Sequence, residues 1–339
     1  MSMKRIAVVV LSLLPFLVVA YHSNAPAWAD GAPVLRVICL PARPLALTVA
    51  LEKGLLAKHG IQVAVQVAAN SDELRTALAN GTADLAHAAV DNAVALAEKT
   101  HLDIAIVMGG EGSTNELIAQ PGITSIESLR GRTVIVDAPT TAYAIQLKKI
   151  LLLHGLQAGR DYDIKPVGST PLRLAAMCEH KEYAASILGP PTSLLAKQKG
   201  FVSLGTTQQF LGAYQGVGAF LRRPWAKENR EPLVAYITAF IEAQRWILAP
   251  ENKSQVIALL AREFKLSQPL ATQAYDSWIV APSGFEPDAQ LNMGGFNNVL
   301  KLRAEIEHTW EGAPPSPETY YDPEYSEAAI AKTSRPATN

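Results

Sequence analysis

Short apolar runs alternate with longer amphipathic segments from residue 34 to residue 221. The runs are rich in branched side chains, as buried β-strands are, and the segments between them repeat apolar residues at helical spacing. Strands are predicted at residues 34–40, 61–67, 85–89, 103–108, 117–119, 133–137, 162–167, 184–188, 201–205 and 216–221. Helices are predicted at residues 45–53, 72–79, 92–99, 142–154, 171–180, 192–200, 231–248, 252–263 and 291–308. This alternation predicts an α/β fold with doubly wound sheets and a helical C-terminal part.

The alternation restarts after Pro121, so two core-forming halves are predicted, with chain crossings near residues 120–122 and 217–221. We assign residues 34–121 and 218–310 to lobe one and residues 122–217 to lobe two. After residue 310 the composition shifts towards Gly, Pro, Ser and Glu, which predicts a loosely ordered tail at residues 311–339.

The clearest local pattern lies at residues 125–156, where a buried strand leads through a polar turn into a long helix. The turn contains Thr140 and Thr141. The helix N-terminus behind it offers unpaired backbone N–H groups and roughly half a positive charge. Such a turn can bind an anion or a carbonyl group without a charged side chain. The alternative interpretation is that one threonine only caps the helix.

Composition and charge exclude several classes of protein. With 49% hydrophobic and 18% charged residues, the chain suits a packed globular protein. A net charge of −1 gives no electrostatic footprint for nucleic acid, so no such partner is predicted. Residues 1–29 combine a basic start, an apolar run and a small-residue cleavage pattern, which predicts a secretory signal peptide. No later run is long enough to span a membrane.

The cysteine and histidine residues give no sign of a metal site. Cys39 and Cys178 lie far apart in the chain, and two buried free thiols are favoured over a disulfide, which an exported protein can form. No Cys or His spacing is typical of metal ligands, so no cofactor is predicted. His87 is interpreted as an interior histidine rather than a ligand. For Trp278, helix packing is favoured over a position above a cleft.

Three ordered motifs resemble one family of periplasmic proteins. The stretch ALEKGLLAKHGI at residues 50–61 resembles that family's A-x-E-x-G-L-F…G-L-x-V opening. Residues 79–85 resemble its L-x-x-G-x-x-D turn, and residues 123–134 resemble its G-I-x-S-x-x-D-L-K-G-K-x-V segment. The family comprises the ABC-transporter substrate-binding proteins for aliphatic sulfonates, taurine, nitrate and pyrimidine precursors. The resemblance covers residues 34–221 well and the C-terminal helices in outline.

The resemblance implies a type II, Venus-flytrap fold, in which two lobes close on a ligand by a hinge motion. It places ligand contacts at the turns that follow the strands, where ligands of open α/β sheets bind. The matching positions in this chain are Arg43, Pro44, Asn70, Ser71, Asp91, Asn92, Gly110, Glu111, Asn115, Thr140, Thr141, Tyr143, Ser169 and Pro190.

Several of these positions have an alternative role that the sequence leaves open. Ser71, Asp91 and Asn92 are also suitable helix caps. Arg43 is either an exposed loop charge or the obvious cation for a carboxylate or sulfonate. Glu111 is either a ligand contact or a surface residue of a glycine-rich loop. Tyr143 likewise fits both the cleft and ordinary helix packing.

The resemblance also implies a function. We expect a monomeric periplasmic protein that captures a small organic solute and delivers it to an ABC-transporter permease. The solute is expected to be an organic anion or a carbonyl-bearing heterocycle. The chain lacks a nucleophile elbow and a close carboxylate pair in a strand-end turn, which disfavours an enzyme of this fold, such as a pyrimidine-precursor synthase or an aromatic-acid decarboxylase. A ligand-sensing module for a membrane receptor uses the same cleft and remains an open alternative.

Overall fold

Two five-stranded sheets organise the protein, whose structure is a computed structural model that describes residues 32–41 and 43–333. The predicted signal peptide, residues 1–29, lies outside the described residues. The strands are β1 (Val34–Cys39), β2 (Gln62–Val67), β3 (Leu85–Ala89), β4 (Ile104–Met108), β5 (Glu116–Ala119), β6 (Thr133–Val136), β7 (Asp163–Pro166), β8 (Tyr183–Leu188), β9 (Val202–Thr206) and β10 (Val217–Arg222).

Helices connect the strands and make up the C-terminal part. They are α1 (Leu45–Glu52), α2 (Leu55–Lys58), α3 (Ser71–Ala79), α4 (Asp91–Thr100), α5 (Ala142–Leu153), α6 (Thr170–Glu179), α7 (Thr192–Gln198), α8 (Thr207–Leu211), α9 (Arg223–Glu228), α10 (Arg230–Leu248), α11 (Lys253–Glu263), α12 (Gln268–Ala274), α13 (Met293–Glu307) and α14 (Glu324–Thr333). A π-helical turn, Tyr275–Ile279, follows α12. Within the described residues, no helix has the length and apolar character needed to cross a bilayer.

The two sheets have equivalent strand orders. The first sheet has the order β2-β1-β3-β10-β4 and the second has the order β7-β6-β8-β5-β9. The strands β1, β2 and β3 are parallel, as are β6, β7 and β8, whereas β10 and β5 run antiparallel to their neighbours. Apolar cores cover both faces of each sheet. The predicted α/β fold with doubly wound sheets is confirmed.

The predicted lobe boundary is wrong at its first crossing. Strand β5, which the prediction placed in lobe one, lies in the second sheet between β8 and β9. The chain therefore leaves lobe one before Glu116, and it returns before β10. The two connecting segments run side by side, with the backbone N–H of Ser113 donating to the carbonyl of Tyr214 at 3.2 Å. Sequence periodicity cannot show which sheet accepts a short apolar strand, because both sheets bury it equally well.

The predicted tail is also wrong as far as residue 333. The backbone N–H of Ile106, in edge strand β4, donates to the carbonyl of Tyr320 at 2.7 Å, and Asp322 donates back to Ile106 at 2.9 Å. Tyr320 and Tyr325 are buried, and α14 packs against α10. The segment covers an otherwise exposed sheet edge, which offsets the entropy lost on ordering it.

The two cysteines differ in environment. Both are free, and Cys39 is buried, as predicted. Cys178 is exposed on α6, so the prediction of a second buried thiol is wrong. The helix is amphipathic, and Cys178 lies on its solvent side, next to the buried Met177.

A buried ion pair on α13 joins both lobes. Arg303 donates to the two carboxylate oxygens of Asp91, at the start of α4, at 2.7 and 2.8 Å, and to the carbonyl of Thr140, in lobe two, at 2.8 Å. Asp91 is fully buried and the Arg303 side chain is 4% exposed. Further along α13, Glu307 pairs with Lys148 of α5 at 2.6 Å. Helix α13 thus connects α4 of lobe one to the polar turn and helix α5 of lobe two.

We predict that Asp91→Asn lowers the free energy of unfolding by about 3–5 kcal/mol, because it leaves the Arg303 charge buried without a counter-ion. Urea denaturation followed by circular dichroism measures the change. The matched control is Asp288→Asn, which breaks the half-exposed pair with Arg245 and should cost about 0–1 kcal/mol. An equal effect of the two substitutions would contradict the role given to Arg303.

Candidate functional site

A cavity of about 120 Å³ lies between the two lobes, at the carboxyl ends of the parallel strands. Turns of both lobes and the two connecting segments line it. The structure brings ten of the predicted positions to its wall, namely Arg43, Pro44, Ser71, Asn92, Glu111, Asn115, Thr141, Tyr143, Ser169 and Pro190. The cavity therefore coincides with the predicted cleft, and the binding role of these residues is proposed below.

Four predicted positions lie outside the cavity wall, each for a structural reason. Asn70 caps α3, where its side chain accepts a backbone hydrogen bond at 2.9 Å. The carbonyl of Gly110 accepts a hydrogen bond from the backbone N–H of Glu286 instead. Asp91 is paired with Arg303. Thr140 is exposed; of the two threonines in the turn, Thr141 is the one that caps α5.

A direct hydrogen bond crosses the cleft. Ser71, at the start of α3 in lobe one, donates to Oδ2 of Asp137 in lobe two at 3.0 Å. Thr141 donates to the other oxygen of the same carboxylate. All three side chains are buried and line the cavity. The structure is thus a closed arrangement of the lobes, in which the Asp137 carboxylate accepts hydrogen bonds from both lobes.

Arg173 lines the lobe-two side of the cavity and packs against Tyr143. It is fully buried in α6, and its guanidinium lies 4.6 Å from the ring centroid of Tyr143. It donates to the carbonyls of Gly168 and Ile187 at 2.7 and 2.9 Å, and also to the hydroxyls of Ser186 and Thr170. Its donors are therefore largely committed to the protein, which makes Arg173 a support for the Tyr143 ring.

Arg43 lines the lobe-one side, and it too has partners within the protein. Its Nε donates to the Thr48 hydroxyl at 2.9 Å, and its Nη2 lies 3.6 Å from a carboxylate oxygen of Glu263. The side chain is only partly exposed. Of the two roles considered for Arg43, the structure favours the position facing the cleft, although its charge is already balanced.

Glu111 is the acidic residue of the cavity wall whose pKa is clearly shifted. Burial raises the pKa of its carboxyl from 4.5 to about 7, although Trp278 Nε1 donates a hydrogen bond to it at 3.1 Å. Trp278 packs edge-on against both Phe264 and Phe285. Trp278 thus combines the helix packing favoured from the sequence with a place in the cavity wall.

His87 also lines the cavity, on the lobe-one side. Its Nε2 shares a hydrogen bond of 2.7 Å with the hydroxyl of Tyr236, and its ring stacks on Phe240. Burial lowers the pKa of its imidazole to about 3, so the ring is neutral at physiological pH. His87 is therefore buried, as the interpretation of an interior histidine requires, but it also borders the cleft and its Nδ1 has no hydrogen-bond partner among the described residues.

Three buried polar atoms of the wall have no hydrogen-bond partner in the described part of the chain, namely Ser169 Oγ, His87 Nδ1 and Tyr214 Oη. The hydroxyl of Ser169, before α6, is buried and makes no hydrogen bond. Opposite, the Asn115 amide donates to Gln146 at 3.3 Å. Residue 189 is a glycine, which leaves space for the Asn115 side chain. A Cβ at this position would lie 2.7 Å from Asn115 Oδ1, which is too close. A buried, unpaired hydroxyl costs free energy unless a bound molecule satisfies it.

Sequence reasoning missed several residues of the wall. Asp137 ends a predicted strand, so its strand-end position was a usable signal. Arg173 reads in the sequence as an ordinary solvated helix arginine. Tyr214 lies in a connecting segment, where no periodicity marks it. Gln146 lies on the buried face of α5, where the sequence shows only one polar residue among apolar neighbours.

The two lobes, with a cavity at the carboxyl ends of their strands, define the two-lobe fold of periplasmic binding proteins. A model of the NMT1-like family matches residues 39–261, and the chain belongs to that family. No curated protein matches the chain in sequence. Within the described residues, no group of three or more His, Cys, Asp or Glu is placed to hold a metal ion.

Solved structures share the fold at low sequence identity. The periplasmic nitrate-binding protein NrtA from Synechocystis PCC 6803 is 18% identical, with a TM-score of 0.72 over 93% of this chain and 91% of that one. The ligand binding component of an ABC-type import system from Staphylococcus aureus is 17% identical, with a TM-score of 0.71 over 88% and 99%. The aliphatic sulphonate binding protein SsuA from Escherichia coli is 18% identical, with a TM-score of 0.66 over 86% and 92%. The predicted family resemblance and two-lobe fold are therefore confirmed.

We predict that Ser71→Ala lowers the population of the closed arrangement about two- to tenfold, since one hydrogen bond between the lobes is worth about 0.5–1.5 kcal/mol. Spin labels on the exposed Cys178 of lobe two and on a cysteine replacing the exposed Glu228 of lobe one report the distance between the lobes. Ser128→Ala, an exposed serine, is the control. An unchanged distance distribution in Ser71→Ala would contradict the prediction.

The raised pKa of Glu111 predicts a pH-dependent stability. Because its folded pKa of about 7 exceeds its ordinary value of 4.5, the unfolded chain loses this proton first, and the protein loses stability as pH rises from about 4.5 to about 7. Glu111→Gln removes this loss. We expect its Tm to equal that of the natural protein near pH 4.5 and to exceed it by several degrees at pH 8. A Tm difference that is the same at both pH values would refute the assignment.

Proposed function

We propose that this protein captures a small organic solute between its two lobes and delivers it to the membrane permease of an ABC importer. The observation that carries the proposal is the cavity itself, which both lobes close and whose wall contains the buried, unpartnered hydroxyl of Ser169. The transport components named among the similar structures support it. We propose capture without chemical conversion, by a monomer.

The proposed location is the periplasm. The support is the predicted signal peptide at residues 1–29, together with the periplasmic proteins that share the fold. The predicted solute classes were an organic anion and a carbonyl-bearing heterocycle. The Ser169 hydroxyl can donate a hydrogen bond to an oxygen of either class, so it is proposed as the contact for an acceptor group of the solute.

A thermal-shift screen of the chain from residue 30 onward tests the proposal. The panel contains sulfonates, aromatic carboxylates, pyrimidines, flavins and amino-acid derivatives. A ligand at a hundred times its dissociation constant adds about 2.7 kcal/mol of stability, which raises the Tm by several degrees. We expect one class of compound to give this shift.

Ser169→Ala should weaken binding of the identified compound about three- to tenfold, because the hydroxyl contributes about one hydrogen bond. Ser128→Ala, on the exposed surface, should leave the affinity unchanged. If no compound of any class shifts the Tm, or if Ser169→Ala binds the compound as tightly as the natural protein, the cavity is not the solute site proposed.

A further inference from the structure

The charged side chains that line the cavity differ in the partners that the protein provides for them. Among the described residues, the formal charges on the wall belong to Arg43, Glu111, Asp137 and Arg173. Arg173 donates to two backbone carbonyls and two hydroxyls of the protein. Burial lowers the pKa of its guanidinium, and the negative charge of Asp137 offsets this in part. Arg43 has Glu263 as its counter-ion at 3.6 Å. Arg43 therefore has a carboxylate partner, and Arg173 has neutral acceptors of the protein around its guanidinium.

Glu111 has no charged partner within ion-pair distance in the described part of the chain. Its one side-chain hydrogen bond there comes from the neutral Trp278 indole. A carboxylate without a counter-ion in a closed, partly apolar site is costly, which is why burial raises its pKa. A positively charged or N–H-donating group bound beside it removes this cost.

The surroundings fit such a group. The rings of Trp278 and Tyr143 line the same cavity, and aromatic rings attract flat and cationic groups. An anion, by contrast, would enter beside an acidic group while both arginines are already engaged. An anion would compete with Glu263 for Arg43 and with the carbonyls of Gly168 and Ile187 for Arg173.

We infer that the cleft selects a solute that presents a cationic or N–H-donating group, such as an amidine, an amine or a ring N–H, to the carboxylate of Glu111, with a hydrogen-bond acceptor elsewhere on the molecule for Ser169. This inference rests on the proposed function, because it takes the cavity as the solute site. It narrows the predicted classes by excluding a solute that is only an anion.

Four probes of the same ring size test the inference: benzamidine, benzamide, benzoate and benzenesulfonate. Saturation-transfer NMR at pH 7.5 gives their dissociation constants for the full chain, for Glu111→Gln and for Glu182→Gln. Glu182 is an exposed glutamate outside the cavity wall, so it controls for net charge. A charge-assisted hydrogen bond contributes about 1.5–3 kcal/mol, which corresponds to tenfold or more in affinity.

We expect the natural protein and Glu182→Gln to bind benzamidine about tenfold more tightly than benzoate, and Glu111→Gln to lose that preference. The Tm of Glu111→Gln at pH 8 verifies that this variant is folded. Equal or tighter binding of the two anions, or unchanged benzamidine binding by Glu111→Gln, would overturn the inference but leave solute capture standing. Absence of binding by all four probes would overturn it as well, and the wider screen above then decides the proposed function separately.

Discussion

The buried ion pair between Arg303 and Asp91 is the constraint on which the relation between the two lobes depends. A charge without a partner is costly inside a protein, so the guanidinium must remain where it finds the Asp91 carboxylate and the Thr140 carbonyl together. That requirement fixes α13 against α4 of lobe one and against the turn before α5 of lobe two. The cavity wall is built on that same turn, through Thr141 and Asp137.

The wall of the closed cavity contains polar groups that lack a counter-ion or a hydrogen-bond partner within the described part of the protein. Glu111 has a raised pKa and no counter-ion, and the Ser169 hydroxyl has no partner among the described residues. Elsewhere in the same wall, Arg173 and Asp137 are almost fully bonded. Such contrast is expected of a binding site, because the groups left unsatisfied are those that a bound molecule completes. It also explains why a neutral residue in place of Glu111 should stabilise the free protein.

The shared fold and the charged side chains of the cavity wall are evidence for different properties of the protein. Similar structures that bind nitrate or sulphonate show that this backbone arrangement suits a protein that encloses a small molecule. At 18% identity they show the fold alone, and the side chains on the wall determine what the cavity of this chain can hold. In this chain, Arg43 is paired with Glu263 and Arg173 is hydrogen-bonded to neutral acceptors, whereas Glu111 has no cation within ion-pair distance among the described residues. The selectivity inferred for the cleft thus differs from that of a simple anion site.

The sequence by itself determined the elements and the edge at which the cavity forms. Apolar periodicity defined nearly every strand, and the polar turns after them supplied Ser71, Thr141, Ser169 and Glu111, because local spacing dictates which residues follow a strand. Only the tertiary structure decided that β5 crosses into lobe two and that the C-terminal tail covers β4. The tertiary structure alone also decided the pairing of Arg303 with Asp91, the contact of Trp278 with Glu111 and the burial of Arg173. These contacts join residues that are distant in sequence, and they depend on packing that no local pattern encodes.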